Sequence, residues 1–252
     1  MAVRPVTATD DPRARTTNRL FTFATTELQP CPYLDDRNER RLFSLLPSGG
    51  SDDHHETLVQ AGFRRSQNVV YRPVCPGCRA CRSVRIPVER FAPSRSLRRV
   101  AKRNADLTRE ALRPRYTEEH YRLFRRYIES RHGDGGMADM DRGSFRRMLE
   151  TSPVTTWLLE FRDPNGALIA ASLTDEVRSG LSGVYKYFDA EQSRRSLGTY
   201  VIFSHVAEAR ERGLPYVYLG YWVHGSSKMD YKARFRPLEV LEHDGWRPFA
   251  VG

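Results

Sequence analysis

The sequence predicts an α+β fold: a mixed, mainly antiparallel sheet with helices, preceded by a small region that carries the cysteines. Three observations point to it. Val154 to Phe161, Ala167 to Val177 and Leu181 to Phe188 are runs rich in β-branched and aromatic residues, separated by the tight-turn sequences Asp163-Pro164-Asn165-Gly166 and Ser179-Gly180. After the third run, Val201, Ile202, His205, Val206 and Ala209 recur at helical spacing, Gly213-Leu214-Pro215 stops the helix, and Tyr216 to Tyr221 reads as a buried strand. A meander running into a strand-helix-strand unit is an α+β layout. Finally, Cys75, Cys78 and Cys81 fall within one heptapeptide well ahead of these strands. The expected divisions are a disordered tail over 1–18, the cysteine-bearing region over 19–105 and the sheet domain over 106–252.

Taken in order, Met1 to Asn18 is rich in Thr, Arg, Asp and Pro without an apolar core, so it resembles neither a signal peptide nor a transit helix. Leu20 to Leu28 alternates, and the prolines of Gln29-Pro30-Cys31-Pro32 force an extended turn that holds Cys31. Asp35 to Leu46 predicts a short helix, because Asp opens it and Leu42, Phe43, Leu45 and Leu46 supply an apolar side. A second short helix starts after Ser51-Asp52-Asp53, whose acids suit the helix dipole, and ends near Gly62, with His54 and His55 expected in solvent. Phe63 to Arg72 and Val84 to Val88 read as strands. Ser94 to Asn104 and Thr117 to His132 read as helices, the latter ended by Gly133 to Gly136, and Ser144 to Leu149 as a further short one.

The formal net charge of +10 favours a polyanionic partner, and no apolar run is long enough to span a bilayer. The charge is concentrated. Arg95, Arg98, Arg99, Lys102 and Arg103 recur at spacings of three and four, so one helical face presents most of it, as contacts to RNA phosphates require. Cys75, Cys78 and Cys81 have C-x2-C-x2-C spacing, and Pro76-Gly77 allows the tight turn that lets three thiolates converge, with Cys31 as a remote fourth. Zinc, an iron-sulfur cluster and plain buried thiols all remain open from the spacing. Three clustered cysteines do not suit a secreted disulfide framework, and the cytoplasm is the expected compartment.

Arg194-Arg195-Ser196-Leu197-Gly198-Thr199-Tyr200 resembles the R/Q-x-x-G-x-G/A loop of the GNAT acyltransferases, with Arg195 and Gly198 in register. Tyr200 replaces the last small residue. A ring there obstructs the approach of a pyrophosphate to the backbone, which favours an acyl carrier other than coenzyme A. Together, QPCPYL, YRPVCPGCRAC, SRSLRR, Ser182-Gly183-Val184-Tyr185, SLGTY, GLPYVYLGYWV and MDYKARFRPLE resemble the arginyl-tRNA-protein transferase family, in particular its compact bacterial branch. The resemblance implies a cysteine-bearing N-terminal region joined to a GNAT-like aminoacyl-transferase domain. It also implies transfer of leucine from leucyl-tRNA to the N-terminal amine of proteins beginning with Asp or Glu. No cofactor is expected for the chemistry, and a structural zinc or iron-sulfur cluster on Cys31, Cys75, Cys78 and Cys81 is a possible addition. The tyrosine-rich strands, Trp222 included, then supply the acceptor site, with Tyr185, Tyr187, Tyr221 and Lys228 as catalytic candidates. Arg195, Gly198, Tyr231, Lys232 and Arg234 are the substrate-binding candidates. The competing readings are an arginyl-tRNA donor, an acyl-CoA-dependent N-acetyltransferase and a non-catalytic metal- and RNA-binding protein.

Overall fold

The computed structural model describes residues 22–131, 137–226 and 228–250. The expected tail over 1–18 and the expected helix stop at Gly133 to Gly136 lie outside the described residues. Its centre is an eight-stranded sheet in the order β14-β13-β7-β12-β11-β10-β9-β8. In chain order these strands are β7 (Cys81–Pro87), β8 (Thr108–Leu112), β9 (Thr156–Arg162), β10 (Leu168–Val177), β11 (Gly180–Phe188), β12 (Tyr216–Val223), β13 (Glu239–Glu242) and β14 (Gly245–Pro248). Each neighbouring pair is antiparallel except β11 with β12, which the helix α5 (Leu197–Glu211) connects as a parallel crossover. The sheet is therefore mixed and mainly antiparallel, as the sequence predicts.

Helices cover both faces because successive side chains of a strand point to opposite sides. Leu158 packs into a core with Phe124, Phe145 and Tyr187, under α3 (Glu118–Arg131) and α4 (Arg142–Glu150). Its neighbour Leu159 packs with Leu197 and Val201 of α5 on the other face. Beside α5 lies α2 (Arg95–Arg103), whose Leu97 is buried in the core that α5 shares with β7 and β12. Ser94 caps α2 through its hydroxyl, which accepts from the Leu97 N–H at 3.3 Å, and Asp141 caps α4 by accepting from the Ser144 N–H at 2.7 Å.

The N-terminal strands form a smaller sheet, β1-β4-β6-β5, from β1 (Ala24–Thr25), β4 (Arg41–Leu45), β5 (Arg64–Ser66) and β6 (Val69–Pro73). A separate ribbon pairs β2 (Gln29–Pro30) with β3 (Asn38–Glu39). Here the structure corrects the sequence reading. Asp35 to Leu46 is not a helix: β3 and β4 occupy it, and β4 pairs with β6 from Arg41↔Pro73 to Leu45↔Val69. Those ladder bonds override a helical preference that was weak to begin with. Phe63 to Arg72 is a hairpin rather than one strand, turning through Gln67 at φ 55°. His55, on α1 (Asp52–Gln60), is 1% exposed instead of solvated, and its Nε2 lies 2.9 Å from Asp175. β7 and α2, from the cysteine-bearing stretch, are integral to the layers of the large sheet, where β7 stands between β12 and β13.

Candidate functional site

β11 and β12 pair only from Gly180↔Tyr216 to Ser182↔Tyr218, although both strands run on for several residues. A register shift on each strand marks the parting. Opposite β10, Leu173 pairs with Tyr185 and Thr174 with Gly183, which leaves Val184 as a bulge. Opposite β7, Tyr218 pairs with Arg85 and Gly220 with Val84, which leaves Leu219 as another. Bulges bend a strand and turn its backbone groups out of the ladder. The freed carbonyls are taken up by Arg64, which reaches across from β5 and donates to Leu219 O at 3.1 Å and Gly183 O at 2.9 Å. Gly220, at φ +68°, makes room for it, since a Cβ there would stand 1.6 Å from Arg64 Nη1.

A cavity of about 250 Å³ opens in this gap. Arg64, Lys186, Lys232 and the His205 ring face it together with seven tyrosines, and no aspartate or glutamate is among the described residues that line it. Lys232 is 5% exposed, and its Nζ donates to Tyr221 O at 2.5 Å. Burial, followed by the charges of Arg64 and Lys186, pushes its amine well below the ordinary lysine range. His205 shares a 3.0 Å hydrogen bond with Thr174 Oγ1, and burial first, then Lys186 and Arg109, pushes it down to about 3, so it is neutral. Lys186 donates to Gly198 O at 2.9 Å and lies over the Tyr231 ring at 5.2 Å. A cavity lined by cations and, among the described residues, by no anion can take one from a ligand.

Some of the expected residues meet here and others do not. Tyr185, Tyr221, Tyr231 and Lys232 line the cavity, and Gly198 borders it through Lys186. Tyr185 is the better-placed hydroxyl donor: burial keeps its phenol protonated, and the hydroxyl has no hydrogen-bond partner among the described residues. Tyr221 is not a free donor, because its hydroxyl lies 2.9 Å from Tyr71 O and 3.1 Å from Gly62 O. Tyr187 does not line the cavity at all. It is 0% exposed in the α3/α4 core, its hydroxyl 2.8 Å from His120 Nδ1, while His120 Nε2 lies 2.8 Å from Glu160. Tyr185 and Tyr187, two residues apart, share the face of β11 that meets Phe124, and Tyr187 lies further along the strand from the gap, where Phe145 and His120 enclose it.

Lys228 is exposed on the turn ahead of the short 3-10 helix Asp230–Arg234 and does not reach the cavity. Arg234 is exposed too, 3.5 Å from Ser96 Oγ. Arg195 is held by Asp106 through two bonds of 2.7 and 2.8 Å and braces the loop before α5 against the end of α2. Tyr200 packs on Phe161 at 5.7 Å between ring centroids. Trp222, which the resemblance put near the acceptor, belongs to the core shared with α5. The sequence reading missed Arg64, Lys186, His205, Tyr33 and Tyr71, all of which line the cavity. One signal was available: a lone glycine inside the apolar run of β12 marks a bulge or a close backbone approach.

Arg95, Arg98, Arg99, Lys102 and Arg103 are all exposed along α2 while Leu97 and Val100 are buried, so the expected basic face exists. The four thiols gather where the β2–β3 ribbon meets the turn before β7. Cys31 N–H donates to Arg37 O, Cys75 Sγ accepts from Arg40 N–H at 3.4 Å, and Cys78 N–H donates to Cys75 O. Burial, then Cys31, Cys75 and Cys78, pushes the Cys81 thiol up to about 12. Among the described residues no three histidine, cysteine or carboxylate side chains stand in the arrangement of metal ligands. Four thiols are nevertheless the donor set of zinc or of an iron-sulfur cluster.

Two family models divide the chain between them. One described as the N terminus of arginine-tRNA-protein transferase matches residues 29–99, and one described as its C terminus matches residues 119–242. The chain belongs to this family. The aspartate/glutamate leucyltransferase of Sphingopyxis alaskensis is 50% identical over 233 residues, covering 90% of this chain and 91% of that one. The protein of the same name from Ruegeria pomeroyi is 53% identical over 227 residues, covering 89% and 83%, and that from Parvibaculum lavamentivorans is 50% identical over 225 residues, covering 89% and 93%. The cavity draws on both matched segments, with Tyr33, Arg64 and Tyr71 from the first and Tyr185, Lys186 and Lys232 from the second.

Proposed function

We propose that this chain is an aminoacyl-tRNA-protein transferase that moves leucine from leucyl-tRNA to the α-amine of proteins beginning with Asp or Glu. The observation that carries the acceptor class is the cavity between β11 and β12, where Arg64, Lys186 and Lys232 converge without a carboxylate among the described residues. An aspartyl or glutamyl side chain supplies the missing anion. It restores the charge of Lys232 and pairs with Lys186 or Arg64, whereas an amide side chain leaves a buried cation without a counter-ion. The same charge favours leucine over arginine as the transferred group, because an arginyl side chain brings a further cation to the site.

The chemistry asks little of acid-base groups. The aminoacyl ester is already activated, and an α-amine with a pKa of about 7.7–8.0 is partly neutral near pH 7. The amine nitrogen attacks the ester carbonyl, the bond to the ribose oxygen breaks, and that oxygen leaves with a proton originating from the amine. The enzyme contributes positioning and hydrogen-bond donors to the tetrahedral oxyanion, a role that the unpartnered Tyr185 hydroxyl fits. The exposed face of α2 serves as the contact for the body of the tRNA, and the cytoplasm, where charged tRNA is made, is the compartment this activity needs. Cys31, Cys75, Cys78 and Cys81 would hold zinc or an iron-sulfur cluster in a structural capacity, and no step of the transfer runs through it.

Single-turnover transfer of labelled leucine from leucyl-tRNA to peptides beginning with Asp, Glu, Asn or Gln tests the reading. Transfer to the acidic pair should exceed that to the amides by about 10²-fold or more, the scale for a buried charge left unpaired. Lys232→Met should remove most of that preference. Transfer from an acyl-CoA but not from leucyl-tRNA would overturn the proposal, and arginyl-tRNA run in parallel decides the donor.

A further inference from the structure

Two larger cavities lie beyond the acyl-transfer cavity, the nearer sharing a lining residue with it and the farther sharing two with the nearer. Tyr221 lines both the acyl-transfer cavity and a second one of about 380 Å³, and Arg79 and Arg82 line both the second and a third of about 720 Å³. The series runs along the ends of β12 and β7 toward the cysteine turn. Its cations are Arg72 in the second cavity, Arg79 and Arg82 between the two, and Arg37 in the third. Against them stand Glu242, which is paired with Arg82, and Asp35 on the rim of the third. The guanidinium groups of Arg37 and Arg79 are exposed and have no acidic partner among the described residues. The third cavity also has aromatic surface. The exposed His224 ring lies 5.6 Å from that of Trp222, which is 6% exposed and whose Nε1 is buried without a hydrogen-bond partner.

We infer that these two cavities hold the single-stranded 3′ end of the donor RNA, leading its terminal ribose to the acyl-transfer cavity. This rests on the proposed tRNA-dependent transfer and locates its donor. The acyl group is esterified to the last ribose, so the preceding nucleotides must leave the acyl-transfer cavity for a neighbouring site, and the second cavity begins on the far side of Tyr221. A strand of RNA carries one phosphate per nucleotide and flat bases. Arginine forks answer the phosphates, while guanidinium planes and the His224 ring offer the stacking surfaces that unpaired bases use. An acceptor peptide fits the groove less well, since beyond its first residue it has no obligatory charge.

The test is equilibrium binding of intact tRNA for leucine and of the same tRNA trimmed of its unpaired 3′ nucleotides, at several salt concentrations. Wild type is compared with the double variant Arg37→Ala/Arg79→Ala and with His224→Ala. The two arginines make no ion pair that folding needs, and unchanged melting temperatures would verify this. Intact tRNA should bind the double variant at least tenfold more weakly, with the salt slope reduced by about 0.7 for each single-strand phosphate that the variant no longer neutralises. Trimmed tRNA should bind all three proteins alike, and the KM for an Asp-initiated peptide should not change. Equal loss for intact and trimmed tRNA, or no loss for either, would overturn the inference, and a raised peptide KM would assign the groove to the acceptor. If wild type binds tRNA as described but transfers no leucine, the proposed activity fails while the groove assignment is still decided by binding.

Discussion

At Gly220, Cβ-free backbone, a left-handed φ of +68° and the Arg64 guanidinium coincide, so this position lets Arg64 enter the gap between β11 and β12. Gly220→Ala combines a backbone cost of about 1–2 kcal/mol with expulsion of Arg64 from the Leu219 and Gly183 carbonyls. Chemical denaturation should show a loss of at least that size, and transfer activity should fall further than stability does. A variant with wild-type stability and activity would mean that Arg64 does not shape the site. Residue identities alone exposed the tyrosines and Lys232 as candidates, because aromatic and basic residues crowd the two strands. They did not reveal which hydroxyls are engaged. Tyr185, Tyr187 and Tyr221 look alike in sequence, yet one faces the cavity unpartnered, one binds His120 and one lies against two carbonyls.

Between elements, the N-terminal segment is fastened to the large sheet by a buried charge cluster. Arg65 of β5 donates to Asp175 of β10 at 2.7 and 2.5 Å, and Asp175 also receives Thr156 Oγ1 at 2.9 Å beside His55. Burial alone would raise Asp175, but the Arg65 charge and these hydrogen bonds hold it at about 2. A carboxyl depressed below its unfolded value of about 3.9 contributes its stability in full above that pH and loses it as pH falls toward 2. The neutral His205, at about 3 in the fold, acts in the same direction but over a higher window, from about 6.5 downward, because the unfolded chain takes the proton first. Stability should therefore decline in two stages on acidification. His205→Gln should flatten the upper stage, and Asp175→Asn should cost about 3–5 kcal/mol at pH 7 by stranding Arg65. A single stage in wild type would refute this account. None of the cluster was legible, since His55 and Arg65 lie more than a hundred residues from Asp175 in sequence. The helices and the meander were legible from their periods, whereas β4 was misread because five residues with adjacent apolar side chains do not define a period.

Across the whole molecule, the cysteine-bearing segment does not stand apart from the sheet: β7 enters the turn of Cys75, Cys78 and Cys81 at one end and pairs with β12 and β13 along its length. The sequence showed the cysteine motif and the short strand after it, but a strand's partners depend on the path of the entire chain. This arrangement gives the thiols leverage over the site. Cys81 opposes Val223 at the end of β12, two residues beyond the cavity-lining Tyr221, while Cys31 precedes Tyr33 by two residues in the ribbon loop. Burial first, and then the nearness of Cys31, Cys75 and Cys78, raises the Cys81 thiol, so the four sulfurs disfavour one another's ionisation. A metal held by these thiols would offset that cost and would tie the ribbon loop to the end of β7. Protein purified without oxygen should contain about one zinc ion or one iron-sulfur cluster per chain, and Cys78→Ser should lower both metal content and melting temperature. Transfer by that variant should weaken through a raised KM more than through the rate at saturation, because the walls loosen while Tyr185 and Lys232 stay in place. Wild-type protein free of zinc and iron, with a Cys78→Ser variant that melts and transfers like it, would leave the thiols as small buried side chains and remove the metal from the account.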